Sequence, residues 1–175
     1  MIFTELQLKG AFLVEIEPRP DDRGLFARTY CEREFADHGL PTRFVQCNTS
    51  LNSLRGTLRG MHFQVEPRPE AKLVRCTQGA IFDVIVDLRR DSATFKKWYG
   101  VELTADNRKA LFIPFDLAHG FQTLVEGSEV LYQMSEFYEQ TLARGVRWND
   151  PAFAIEWPLP SPILSNRDAR YPDFV

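Results

Sequence analysis

The chain has 175 residues, of which 44% are hydrophobic and 26% charged, with a formal net charge of −3. Apolar content of this size and so small a charge exclude intrinsic disorder, a collagen-like repeat and a low-complexity chain, and at this length one domain buries roughly 70% of its unfolded surface. A pI near 5.7 without a lysine or arginine run leaves no footprint for nucleic acid or an anionic membrane, so an anionic ligand must be met by a local basic cluster.

In chain order, Ala11–Ile16 is apolar and β-prone, and Leu25–Tyr30 is a second strand candidate. Glu32–His38 is the one plausible helix, closed by Gly39 at the position after its C-cap. Phe44–Ser50 and Thr57–Phe63 follow as strands. The proline-rich VEPRPEA then leads into Lys72–Gln78. Ala80–Leu88 alternates strictly, with Phe82, Val84, Val86 and Leu88 on one face and Ile81, Asp83, Ile85 and Asp87 on the other. Tyr99–Leu103, Ala110–Ile113, Gly120–Leu124 and Glu129–Ser135 complete about ten short strands. From about Arg147 the tail, with WNDP, EWPLPSP and LSNRDARYPDF, is too rich in proline for long regular elements, so it wraps the surface or reaches back to a site.

Strands that do not alternate with helices predict an all-β sandwich, barrel or jelly roll rather than a parallel βαβ sheet. No repeat or linker divides the chain, so one domain over 1–175 is expected. No run approaches 18 apolar residues, and the start MIFTELQLKG lacks the pattern of a signal peptide. Cys31, Cys47 and Cys76 are odd in number and lack CxxC spacing, which argues against a disulfide framework or zinc site and suits a reducing cytoplasm. Phenylalanine is abundant, with 14 residues.

The three histidines lack the paired spacing of a metal site. His38 reads as an exposed helix-terminal residue. His62, in LRGMHFQ, is either structural or catalytic; Arg55, Arg59, Lys72 and Arg75 lie near it in sequence, and this basic cluster is either a small-anion site or a solvated strand edge. There is no GxSxG elbow and no phosphate-cradling glycine loop. In VLYQMSEFY, Val130, Tyr132 and Met134 share a strand face, so Tyr132 is either a core tyrosine or a phenol presented in an apolar wall.

The runs FVQCNTSLNSLRGTLRGMHFQ, KLVRCTQGAIFDVIVDLRRDSATFKKWYGVEL, IPFDLAHGFQTL and RGVRWNDP, with IEWPLPSPILSNRDAR, together resemble the dTDP-4-dehydrorhamnose 3,5-epimerase family. The likeness runs from DDRGLF, near Asp21, to Asp168. It implies a cupin-type jelly roll that forms a homodimer, needs no metal or organic cofactor, and inverts C3 and C5 of a 4-keto-6-deoxyhexose carried on a nucleoside diphosphate. Such chemistry needs a base on one side of the sugar, an electrophile at the carbonyl oxygen and an acid on the other side.

By resemblance, His62 is the base, Asp168 the carboxylate that orients it, Lys72 the stabiliser of the enolate oxygen and Tyr132 the acid. Arg23 and Arg59 match a diphosphate clamp, Tyr138 and Phe26 match aromatics near the nucleobase, and Gln46 and Asn48 match polar substrate contacts. His119 matches a further site residue. Arg23 and Phe26 can come from the neighbouring subunit. The chain departs from the family pattern where Arg28 replaces glutamate, Cys47 aspartate, Ala143 glutamate and Arg167 lysine. Arginine cannot accept the hydrogen bonds that glutamate accepts, so Arg28 leaves the base open, with CDP as one alternative to dTDP. A mono-epimerase acting at C3 or C5 alone and a non-catalytic sugar-binding module are the other readings.

The resemblance carries a geometric requirement. Arg59 and His62, three residues apart, point to opposite faces of a regular strand, so placing both in one pocket needs a bulge at Gly60. The phenylalanines are expected between two sheets, as at Phe82, Phe112 and Phe121, and around the ligand, as at Phe26 and Phe63.

Overall fold

The computed structural model describes residues 1–174. Its strands are β1 (Ile2–Glu5), β2 (Phe12–Glu15), β3 (Arg19–Asp21), β4 (Gly24–Phe26), β5 (Gln46–Asn52), β6 (Leu58–Gln64), β7 (Lys72–Gln78), β8 (Ala80–Asp87), β9 (Trp98–Thr104), β10 (Ala110–Ile113), β11 (Leu117–Thr123), β12 (Ser128–Met134) and β13 (Ala143–Gly145). One helix, α1 (Glu32–Asp37), and a short 3₁₀ turn at Asp168–Arg170 complete the elements. A six-stranded sheet in the order β1-β2-β10-β7-β12-β5 faces a five-stranded sheet in the order β13-β6-β11-β8-β9, and β3 and β4 form a separate hairpin. Pairing between these strands is antiparallel throughout. This is a cupin-like jelly roll.

The apolar surface forms three layers. Between the sheets lie Val74, Ile81, Ile85, Leu103, Leu111, Phe121 and Val130. On the outer face of the six-stranded sheet, Phe12, Val14, Leu73 and Phe112 pack with Phe35 of α1. On the outer face of the other sheet, Met61, Val84, Val86 and Ala118 are covered by tail residues Val146, Phe153 and Trp157. The alternation of β8 therefore does not separate core from solvent: both faces are covered, one by the opposite sheet and one by the tail.

This layering corrects the expected placement of phenylalanine. Phe121 lies between the sheets, but Phe112 belongs to the helix-covered layer and Phe82 to the tail-covered one. Phe63 borders the central cavity, whereas Phe26 is 75% exposed and does not. The outer faces need large flat side chains because a single short helix and an irregular tail must cover each sheet, and an aromatic ring buries much area per residue.

Most strands form within a residue or two of their sequence-based bounds, and β7 and β10 match them. The strand expected over Leu25–Tyr30 forms only over Gly24–Phe26, because the hairpin partner spans just Arg19–Asp21. β1, β3 and β13 are additions; Pro20 is tolerated in β3 because that strand pairs on one side only. β11 begins at Leu117, so His119 lies inside a strand rather than at its entrance. The helix ends as expected, with Gly39 at a φ of 69°. Among the described residues no helix is long and apolar enough to cross a membrane, and all three cysteines are free.

Candidate active site

A cavity of about 280 Å³ opens between the two sheets. Its walls follow from strand alternation. Val74 and Cys76 of β7 face the inter-sheet core, so Lys72, in phase with them, faces the same way; Tyr132 and Met134 follow Val130 on β12 in the same manner. In the ladder, Tyr132 stands opposite Val74 on one side and Asn48 on the other, while Met134 stands opposite Lys72. These residues form the wall from the six-stranded sheet. The facing wall comes from β6 and β11, where His62 and His119 are cross-strand partners.

The bulge needed at Gly60 is present. Between β6 and β11 the register advances three residues from Arg59 to His62 but only two from Phe121 to His119. Gly60 has a φ of 151°, and a Cβ there would lie 2.6 Å from the Gly120 Cα. The extra residue turns the strand so that Arg59 and His62 both line the cavity.

His62 Nε2 lies 2.7 Å from Asp168 Oδ1. The Asp168 side chain is 6% exposed and that of His62 is 38% exposed, so the carboxylate sits behind a ring that reaches the cavity. Burial by itself raises the Asp168 carboxyl, but hydrogen bonding and charge from His62, with help from Ser165 and the Gly60 backbone, bring it below its ordinary value. The tail therefore does return to the site: its 3₁₀ turn places Asp168, and Tyr171 stands edge-on to His62 with ring centroids 5.9 Å apart.

On the facing wall, the Tyr132 phenol is held well above its usual pKa, first by burial and then by the Asp83 charge, with Arg59 opposing. A second histidine–carboxylate pair, His119 Nε2 to Asp83 Oδ1 at 2.8 Å, lies deeper, with side-chain exposures of 4% and 0%. The His119 ring stands edge-on to Tyr132 at 6.0 Å. Lys72 Nζ pairs with Glu70 Oε1 at 2.8 Å, and Arg59 Nε donates to Asn52 Oδ1 at 2.7 Å.

Among the described residues, Arg59, Lys72, Arg144 and Arg167 line the cavity against one lining carboxylate, Glu70. An acidic chain thus concentrates positive charge where a diphosphate can be met. At the rim, Arg167 lies beside Tyr138, whose side-chain hydrogen bond raises the guanidinium pKa. Gln46 does not line the cavity; it orients two residues that do, accepting from the Tyr138 backbone at 3.2 Å and donating to Asn48 Oδ1 at 3.3 Å. Ala143 and Arg144 border the cavity, whereas Cys47 faces away from it, one residue out of phase with Asn48.

Arg23, Phe26 and Arg28 do not join this cavity within one chain. Arg23 is 89% exposed and pairs with Asp21, while Arg28 pairs with Glu34 beside the N-terminus. Glu70, Asp83 and Arg144 were not singled out from the sequence. Asp83 carried a usable signal, a carboxylate between Ile81 and Ile85 on an apolar strand face. Glu70 and Arg144 lie in turn-rich segments without periodicity.

Fold and site together define a class: a cupin-like jelly roll whose cationic cavity presents a carboxylate-held imidazole and a half-buried phenol from facing sheets. The family model for dTDP-4-dehydrorhamnose 3,5-epimerase matches residues 5–175. A dTDP-4-dehydrorhamnose 3,5-epimerase of Shigella flexneri is 44% identical over 176 residues, covering 100% of this chain and 97% of its own. The Bacillus anthracis enzyme, crystallised with TDP and PPi bound, superposes with a TM-score of 0.95 at 44% identity, with 99% of each chain covered. A Legionella pneumophila enzyme in complex with dTDP-4-keto-L-rhamnose gives a TM-score of 0.89 at 34% identity, covering 96% of this chain and 89% of that one. The chain belongs to the dTDP-4-dehydrorhamnose 3,5-epimerase family.

Proposed function

We propose that this protein epimerises C3 and C5 of a nucleoside-diphosphate-linked 4-keto-6-deoxyhexose, of the dTDP-4-dehydro-6-deoxy-D-glucose to dTDP-4-dehydro-L-rhamnose type. The observation that carries this reading is the placement of His62, backed by Asp168, and Tyr132 on facing walls of one cavity that also holds Lys72. His62 removes a proton from a carbon next to the ketone, and the electron pair moves into an enolate whose oxygen is met by the Lys72 ammonium. Asp168 orients the ring and stabilises the imidazolium. Tyr132 then gives a proton to the same carbon from the opposite face. Each inversion leaves one extra proton on His62 and one missing from Tyr132. Exchange with solvent resets both, and the cycle repeats at the second centre.

Arg59, Arg144 and Arg167 are the groups offered to the diphosphate, with His119, Asn48 and Tyr138 as further contacts and Gln46 as their support. A homodimer completes the site in this reading: the β3–β4 hairpin leaves Leu25 and Phe26 45% and 75% exposed, and this exposure, with that of Arg23, supports a role for the hairpin at a neighbour's cavity. This reading puts the reaction in the cytoplasm, and the three free cysteines are compatible with a reducing compartment.

Incubation of the dTDP-linked 4-keto-6-deoxyglucose with the enzyme in D₂O is the direct test. Deuterium is expected at both C3 and C5, with the L-rhamno product identified by NMR. Exchange at one carbon alone makes the protein a mono-epimerase, and no exchange with dTDP-, CDP-, UDP- or GDP-linked 4-keto sugars sinks the reading.

A further inference from the structure

The proline-rich segment before β7 carries a carboxylate that the proton-transfer cycle does not use. Glu70 borders the cavity with only 7% of its side chain exposed, and its Oε1 is bound by Lys72 Nζ at 2.8 Å. Its other oxygen, Oε2, is buried and has no hydrogen-bond partner among the described residues. Buried polar atoms are almost always paired, and a carboxylate oxygen left without a donor is destabilising. An unpaired acceptor in the wall of a binding cavity is best explained by a donor that arrives with the ligand.

The position of Glu70 says which donor. Its two oxygens share one carbon, so the unpaired oxygen lies close to the Lys72 ammonium, beside the cavity that both residues border. In the proposed cycle that ammonium meets the oxygen on C4. C4 has two ring neighbours: C5 carries a methyl group and the ring oxygen, neither of which can donate, and C3 carries a hydroxyl. We propose that Glu70 is a specificity-determining residue whose Oε2 accepts a hydrogen bond from the sugar hydroxyl on C3. This rests on the epimerase reading. The interaction also ties Lys72 and the C3 hydroxyl to one carboxylate, which holds the ketone and its neighbouring carbon in register with the base.

The experiment compares the 4-keto-6-deoxyhexose nucleotide with its 3-deoxy counterpart, reading deuterium entry at C5, a carbon unchanged in both. The wild-type enzyme is expected to favour the hydroxylated compound by about 100-fold in kcat/KM, as when a buried acceptor loses its donor. Glu70→Ala is expected to bring that ratio close to unity, and Glu70→Gln, which keeps an acceptor oxygen, to retain part of it. A wild-type ratio near unity overturns the proposal and needs no variant to be folded. So does a Glu70→Ala enzyme that is slowed equally on both compounds, since Glu70 then acts only by positioning Lys72. If the wild type exchanges neither compound, the epimerase reading itself fails and takes this proposal with it.

Discussion

Two groups at this cavity, Asp168 behind His62 and Tyr132 in the facing wall, have opposite tasks, and their environments separate them. Asp168 is held below its ordinary pKa, so it stays a carboxylate behind His62, while Tyr132 is displaced upward and stays a phenol. Catalysis in the proposed cycle requires neutral His62 and protonated Tyr132. The rate therefore falls at high pH only when the phenol ionises, which burial moves above the ordinary tyrosine value of about 10. A kcat/KM profile over the range where the protein stays folded checks this, and a descending limb well below that value would contradict Tyr132 as the acid. Tyr132→Phe should lower epimer formation on the order of 10²–10⁴-fold. Deuterium should still enter at the carbon that His62 deprotonates, because the base can return a proton to the face it took one from. Loss of exchange and inversion in parallel would assign Tyr132 a different role.

At the scale of elements, the crossing of β6 and β11 sets the site. Gly60 and Gly120 let the two backbones approach closely, and the extra residue in β6 rotates Arg59 into line with His62. Gly60→Ala should cost about 1–3 kcal/mol of stability in a urea titration and reduce kcat, since the added methyl pushes the base away from its facing acid. An active, equally stable variant would show that the bulge is not needed. The end of β8 is held by a different device. Asp87, fully buried, accepts from Arg89, Ser92 and Thr94. Burial alone would raise its carboxyl, but these donors outweigh it and hold the pKa far below the ordinary value. A lowered folded value means stability that is present above the unfolded pKa of about 3.9 and lost as pH falls toward the folded one. Asp87→Ala should therefore cost about 3–5 kcal/mol at neutral pH, with the gap from wild type narrowing in unfolding curves taken below pH 4.

For the whole molecule, the open question is what the exposed hairpin meets. Light scattering is expected to give twice the 20.2 kDa chain mass. Substituting Leu25 and Phe26 by serine should yield a folded monomer with raised KM, because the hairpin then completes no neighbouring site. Unchanged mass and KM in that variant would remove the hairpin from the interface.

Local pattern made much of the architecture legible before any coordinates. Period-two alternation and flanking turn residues located β7, β8 and β10 closely, because strand formation depends on residues adjacent in the chain. Gly39 marked the helix end for the same reason. The proline-laden tail could be read as wrapping or returning, and it does both: Phe153 and Trp157 cover a sheet, and Asp168 reaches His62. The chemistry of His62, Lys72, Tyr132 and Asp168 became readable only through the resemblance, since no spacing rule links a strand histidine to a carboxylate in the tail. What the sequence by itself determined was most of the strands of the two sheets, the all-β class and the reactive residue types. The tertiary structure alone decided which of them meet. It sent Phe82 and Phe112 to the outer layers, left Arg23, Phe26 and Arg28 outside their own cavity, and brought in Asp83 and Glu70. The physical reason is that a side chain's face is encoded by its neighbours in the strand, whereas its partners are set by cross-strand register and sheet stacking, which depend on the chain as a whole.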